Sequence, residues 1–311
     1  MGRGCELGAA ARVDVYSSSR MIRILGTIFA GLLGLAFGSF LNVCLSRWPE
    51  GESVVQPRSH CRNCEHTLVW WENVPLVSWV VLRGRCRECG TGIGWRYPLV
   101  ELAVGGLWAY YAYRSIPMAL DPELPTTVVF SILTDAFGQM ALCWLLVALA
   151  VLDAENFWLP NALTLPGIVL GLAFTTAHEE FGYHFDTTPQ PVRSLISCLI
   201  SIAVCAGLIF LIRWIYKLIR KREGMGLGDA KLMALLAAWL GLPGALLAFG
   251  LGAILGSIVA LTLLVVPAAR RDSDTWAGSK LPFGTFLCIG GIVSSLWGQH
   301  IIAAYLRWAG L

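Results

Sequence analysis

The chain has 311 residues, of which 56% are hydrophobic and 14% charged, and a formal net charge of +3. Soluble domains average about 25% charged residues, so a water-soluble globular fold is excluded. The small positive excess, with no basic–aromatic patch, excludes nucleic acid as a partner.

The opening stretch "MGRGCELGAAARVDVYSSSR" is neither apolar nor periodic, so it is not a secretory signal peptide. Residues 1–21 are expected to be a disordered tail, or to precede a true start at Met21. A bilayer core of about 30 Å needs roughly 20 apolar residues per helix. Runs near that length fall at 22–46, 97–113, 127–151, 159–177, 193–216, 229–241, 244–266 and 283–306. The sixth run is short, and the "GLPG" turn joins it to the seventh as a tight hairpin. The fold class expected is an all-α polytopic membrane protein of about eight transmembrane helices. Its first helix is 22–46, a polar module is inserted at 47–96, and residues 97–311 form the membrane catalytic domain.

Positive charge sets the orientation. Arg47, Arg58, Arg62, Arg83, Arg85, Arg87 and Arg96 lie in the polar module, and Arg213, Lys217, Arg220, Lys221 and Arg222 end the fifth run. Arg270, Arg271 and Lys280 lie between the last two runs. With eight spans, all three clusters share one face, which is then cytoplasmic. The basic residues at 213–222 are expected to meet anionic lipid.

Of the ten cysteines, four are spaced as two Cys-x-x-Cys pairs in "CRNCEHTLVWWENVPLVSWVVLRGRCRECG", residues 61–90. Cys61, Cys64, Cys86 and Cys89 can close a tetrahedral S₄ shell suited to Zn²⁺. With all four positions taken by sulfur, no site is left for water, so the metal's role would be structural and the module zinc-ribbon-like. Two reducible disulfides are the competing reading.

An ionisable residue inside an apolar run is costly and marks function by default. Asp229 opens such a run in "GMGLGD", 224–229, and the other acidic cluster at the same face is "VLDAENFWLPN", 151–161, with Asp153 and Glu155. Glycine lets the backbone turn sharply and neighbours approach, so Gly226 and Gly228 are read as active-site backbone. Two carboxylates about 3 Å apart share a proton, and one can activate water while the other donates. The competing reading of the motif is a helix N-cap at a flexible turn. Asp229, at a helix start with Lys231 nearby, is expected to be the ionised base, and Asp153, at a helix end, the protonated acid. Glu101, Glu155 and Lys231 are candidate substrate contacts, with Glu101 alternatively an ion-pair partner of Arg96. His178, Glu179, Glu180, His184 and Asp186 are a weak second metal set on the far side.

Six segments then carry a family resemblance: "FGSFLNVCLSRWP" (37–49), the paired Cys-x-x-Cys, "WRYPLVEL" (95–102), "LDAENFWLPN" (152–161), "GMGLGDAKL" (224–232) and "LPFGTFL" (281–287). In this order they resemble the type IV prepilin leader peptidases, GxGD intramembrane aspartyl proteases, over residues 22–306. The resemblance implies an inner-membrane enzyme with its active site facing the cytoplasm. It would remove the basic leader of type IV prepilins and type II secretion pseudopilins, then methylate the new N-terminus with S-adenosylmethionine. The family's catalytic aspartates match Asp153 and Asp229, and its tetracysteine site matches Cys61, Cys64, Cys86 and Cys89. Two departures stand out: Glu155-Asn156 replaces the family's Asp-His, and "PFGTF" replaces "PFGPF"; neither coincides with a catalytic match. No glycine-rich fingerprint locates the methyl donor. The alternative function is a membrane transporter with a zinc-ribbon regulatory module, which would place its acids near the midplane and in repeated halves.

Overall fold

The computed structural model describes residues 3–181, 191–221, 226–265 and 281–310. Its helices are α1 (Arg3–Arg47), α2 (Val77–Val81), α3 (Arg96–Ala119), α4 (Thr126–Asn156), α5 (Asn161–Phe181), α6 (Pro191–Arg220), α7 (Leu227–Val265) and α8 (Phe283–Ala309). Short 3₁₀ turns lie at Trp48–Glu50 and Trp70–Asn73. Helix α1 begins at Arg3, so the stretch expected to be a polar tail is helical. Among the described residues there is no β-strand, only two isolated bridges in the cysteine module.

Among the described residues, five helices are long and apolar enough to cross a membrane: Ser19–Glu50, Thr126–Asn156, Val192–Arg220, Leu227–Leu263 and Phe283–Ala309. Asn161–Ala177 is apolar but shorter, and α3 does not reach the same apolarity. Where the hairpin is expected α7 is broken: Gly241 takes φ 66° and ψ −179°. Only glycine adopts that conformation without strain, and Pro243 then sits in the first turn of the next arm, where its missing N–H costs nothing. Ser294 of α8 donates to the Gly244 carbonyl at 2.8 Å, satisfying an acceptor at the break.

The chain divides into two compact units, residues 1–140 with 181–183, and residues 141–180 with 184–311. In the first, α1 packs along α3. The approach is close because α1 contributes glycine at the contact: a Cβ on Gly38 would lie 2.7 Å from the Glu101 Cα. Small residues of this kind let transmembrane backbones meet. The end of α1 also anchors the polar module, since the buried Arg47 guanidinium donates to the carbonyls of Ser53 (2.9 Å) and Pro57 (2.7 Å).

In the second unit α7 packs against both α6 and α8. Leu142, Leu146, Leu149, Leu232, Leu235, Leu236 and Leu287 are wholly buried in its core. Trp239 of α7 donates to the Gly167 carbonyl of α5 at 2.8 Å and stacks on Phe174. Large apolar side chains elsewhere, such as Phe29, Phe130, Phe210 and Leu218, remain exposed. A surface of that kind suits hydrocarbon rather than water.

Candidate active site

Asp153 lies in the last turn of α4, and Asp229 in the first turn of α7. Both are buried, at 7% and 8% exposure. Among the described residues neither makes an ion pair, yet the two interact electrostatically with each other. Leu159 sits between their supports: its Cδ1 would be 3.0 Å from a Cβ on Gly228 and 3.1 Å from one on Gly284. The topology-based expectation that the two acids share one neighbourhood therefore has a physical basis in a packed leucine.

Local chain chemistry explains each placement. Helix α4 ends just beyond Asp153 because Phe157 takes φ 52° and its N–H returns to the Asp153 carbonyl at 3.0 Å. Pro160 then starts α5, accepting from the N–H groups of Leu163 and Thr164. At α7 the Gly226 N–H donates to Asp229 Oδ2 at 3.1 Å, the reach-back of an acidic side chain in a helix's first turn. Gly226 thus touches the Asp229 carboxyl through its N–H and Gly228 lies against Leu159, whereas Gly224 lies outside the described residues.

The residue missed by sequence reasoning is Thr285. Its N–H donates to Asp153 Oδ2 at 2.7 Å, and its hydroxyl reaches the same oxygen at 3.3 Å and the Ala150 carbonyl at 3.0 Å. Thr285 is in the first turn of α8, so Asp153 faces the donor end of a second helix. This bears on two expectations. The "PFGTF" departure does bear on Asp153, because proline has no N–H and threonine donates twice. The dipole argument that made Asp153 the protonated partner counted only the end of α4 and left out these α8 donors. Gly284 is needed beside it: a Cβ there would lie 2.8 Å from Asp153 Oδ2. The signal was present in "LPFGTFL", where a glycine and a donor precede a helix.

The weaker candidates scatter. Lys231 donates its amine to the Asn161 side chain, not to Asp229. Glu155 is exposed on the same turn as Asp153. Glu101 is in the first unit, 7% exposed, with Oε2 accepting from the Leu76 N–H at 2.8 Å. Arg96, its alternative partner, donates from Nη2 to Ser46 Oγ at 2.9 Å. His184 and Asp186 lie outside the described residues, as do the side chains of His178, Glu179 and Glu180.

The four cysteines converge. All their sulfurs lie within 4.8 Å of one another, and none is in a disulfide. The Cys61–Cys89 and Cys64–Cys86 sulfurs are 3.8 and 3.9 Å apart. A tetrahedron with Zn–S bonds of about 2.3 Å has edges of about 3.8 Å, so the donor set fits a tetrahedral thiophilic ion. The two knuckles share one design. Cys61 N–H bonds the His66 carbonyl and Cys86 N–H the Thr91 carbonyl, at 2.9 and 2.8 Å. The Thr91 hydroxyl and N–H hold the Cys89 thiol down at about 5, and backbone N–H groups lower Cys61. Although the His66 N–H favours its thiolate, Cys64 is pushed up to about 12 by desolvation and by the other sulfurs. Four crowded thiols cannot all ionise unless a cation joins them.

Glu72 ties the knuckles together from behind. Its Oε2 accepts from the Val69 N–H at 3.0 Å and lies 3.1 Å from His66 Nε2, while Oε1 faces Arg87 at 3.6 Å. Burial opposes its ionisation, but these bonds and charges hold the carboxyl below the usual range.

Comparison with known proteins agrees with this geometry. Residues 32–115 match the bacterial peptidase A24 N-terminal domain, and residues 140–261 the type IV leader peptidase family. A prepilin leader peptidase/N-methyltransferase of Stutzerimonas stutzeri is 33% identical over 303 residues, 90% of this chain and 93% of the relative. The protein of the same name from Pseudomonas aeruginosa is 34% identical over 96% of this chain and 98% of its own length. One from Burkholderia pseudomallei is 35% identical over 87% and 85%. No solved structure matches. A transport function is not favoured by any of these relatives. The chain belongs to the type IV leader peptidase family.

Proposed function

We propose that this protein is a membrane aspartyl endopeptidase that removes the leader of type IV prepilins and pseudopilins and then N-methylates the new terminus. The observation that carries the peptidase half is that two buried carboxylates, Asp153 and Asp229, lie about one packed leucine, Leu159, and that neither makes an ion pair among the described residues. Sharing one proton stabilises such a pair, and neither carboxyl has a fixed claim on it. The ionised member takes a proton from water as the oxygen attacks the scissile carbonyl. The protonated member then gives its proton to the departing amine as the C–N bond breaks. The basic leader would bring positive charge to the acidic pair.

Orientation follows from the arginine-rich segments. The arrangement is eight spans in the inner membrane, with α3 and α5 added to the five apolar helices and α7 counted as two, and the aspartates at the cytoplasmic side. Cys61, Cys64, Cys86 and Cys89 would hold one structural Zn²⁺. S-adenosylmethionine would supply a methyl cation equivalent.

The test is leader removal from a purified prepilin by the protein in lipid nanodiscs. Asp153→Asn and Asp229→Asn should each lower the rate by at least about 100-fold, the range of general acid–base catalysis. Cleavage at the wild-type rate in both variants would overturn the assignment.

A further inference from the structure

The cysteine module turns large apolar side chains outward. Val77, Val80 and Val81 stand at i, i+3 and i+4, one face of α2, and all three are more than half exposed. So is Trp95, just before α3, and Leu99 and Leu102 carry its exposed stripe along that helix. Trp79 joins the two groups. Its ring centroid lies 4.4 Å from that of Trp95, and its Nε1–H donates to the Ile93 carbonyl at 3.2 Å. Gly84 leaves room for it, since a Cβ there would be 2.9 Å from the indole. Both ends of α2 are set in backbone conformations uncommon for residues with a side chain, Leu76 at φ 59° and Arg83 at φ 54°. Such conformations persist only where the surrounding structure enforces them. The valines are therefore presented on a fixed element.

The position of α2 says what covers this face. Helix α3 runs back along α1 from its end: Arg96 reaches Ser46, the Tyr97 carbonyl accepts from Asn42, and Glu101 lies against Gly38. Glu101 Oε2 in turn accepts from the Leu76 N–H at 2.8 Å, so α2 starts beside the helix pair rather than beyond it. Gly38 precedes Arg47, the basic end of α1, by about 14 Å at 1.5 Å per residue, more than the Glu101 side chain can span. Nearby Phe37 and Phe40 are exposed apolar rings on a helix long enough to cross a membrane. Helix α2 thus starts at a depth where α1 already meets lipid. Charge agrees with that occupant. Arg62 and Arg87 pair with Glu50 and Glu72, whereas the exposed Arg83 and Arg85, which follow α2, make no ion pair among the described residues. Tryptophan collects at the membrane–water boundary, and basic residues beside it attract anionic headgroups.

We propose that α2 is a membrane-interface anchor for the cysteine module. Val77, Val80, Val81 and Trp95 sit among the headgroups and upper acyl chains of the bilayer that α1 crosses, and Arg83 and Arg85 meet anionic phosphates. The proposal needs only that α1 spans the membrane; it is independent of peptidase and methylating activity.

Full-length protein is reconstituted in nanodiscs of phosphatidylethanolamine and phosphatidylglycerol with a trace of photoactivatable phospholipid, its diazirine placed high on one acyl chain. After irradiation, mass spectrometry should find lipid adducts within 77–81 and at Trp95, as well as on Phe37 and Phe40 of α1. Val80→Asp should lower the 77–81 yield about fivefold or more, because a charge is costly at that depth, and leave the α1 yield unchanged. The same variant should speed amide exchange across 76–82, an effect that a side chain facing water would not produce. Arg83→Glu should lower the 77–81 yield in these nanodiscs but not in purely phosphatidylcholine ones. A labelled α1 with no adduct at 77–81 would overturn the proposal. Fast amide exchange there would then mean that the face meets water, and slow exchange that a second copy of the chain covers it. An unchanged yield in Val80→Asp would overturn it equally, and an unchanged yield in Arg83→Glu would remove the headgroup contact.

Discussion

At the scale of single residues, the site depends on what is missing as much as on what is present. Gly284 has no Cβ, and the space a Cβ would take is occupied by the Asp153 carboxyl, 2.8 Å from Oδ2 and 2.9 Å from Cγ. Those distances are far inside contact range, and the neighbour on the other side, Leu159, is packed as well. Gly284→Ala must therefore displace the carboxyl or the start of α8. A misplacement of about 1 Å costs roughly 100-fold in rate, so leader cleavage should fall about that much in kcat while KM moves little. Steady-state cleavage of a prepilin measures both; an unchanged kcat would show that Asp153 has room to spare. Thr285 acts in the opposite direction, by adding donors. The Asp153 oxygen that Gly284 leaves free is the oxygen that Thr285 holds.

At the scale of elements, the cysteine module shows how far spacing alone can be read. Two Cys-x-x-Cys pairs with 21 residues between them are enough to expect one S₄ shell, and the four sulfurs converge as that spacing requires. What joins the knuckles was not legible. Glu72 reads in the sequence as an ordinary charged residue of a polar loop, and its burial between His66 and Arg87 depends on a three-dimensional turn. The break in α7 was legible, because Gly241 and Pro243 each have one favourable backbone role there. The contact of α8 with Asp153 was not, because periodicity says nothing about which helix end meets which side chain. The metal itself is testable at this scale. Purified protein should carry about one zinc ion per chain, and Cys86→Ser should lose it. Structural zinc contributes on the order of 10 kcal/mol to folding in small modules. Residues 50–95 should accordingly become sensitive to limited proteolysis in that variant, while the membrane helices stay protected. Full protection after metal loss would mean that Arg47, Glu72 and Glu101 hold the module without it.

At the scale of the whole molecule, composition identified a multi-pass membrane protein but not the number of crossings. Helix α3 falls short because its two arginines, its glutamate and its tyrosines lower its apolarity, and α5 is brief. Helix α7 counts once or twice depending on Gly241. Residues 227–240 make an arm of about 21 Å at 1.5 Å per residue, well under the roughly 30 Å bilayer core. An arm that short crosses only if the bilayer thins around it. Thinning would bring water to Asp229 at the arm's start, which a hydrolytic site needs. The eight-span arrangement places the Gly241 turn on the outer face and the basic end of α6 on the inner one. Reporter fusions decide between one crossing and two. Alkaline phosphatase joined after Leu242 should be active and a fluorescent protein at the same point dark, with the reverse pattern for fusions after Arg220. Fluorescence from the fusion after Leu242 would mean that the arm returns to the cytoplasm. Asp229 would then lie in a re-entrant hairpin, with its water arriving from the cytoplasm through the protein rather than across a thinned bilayer.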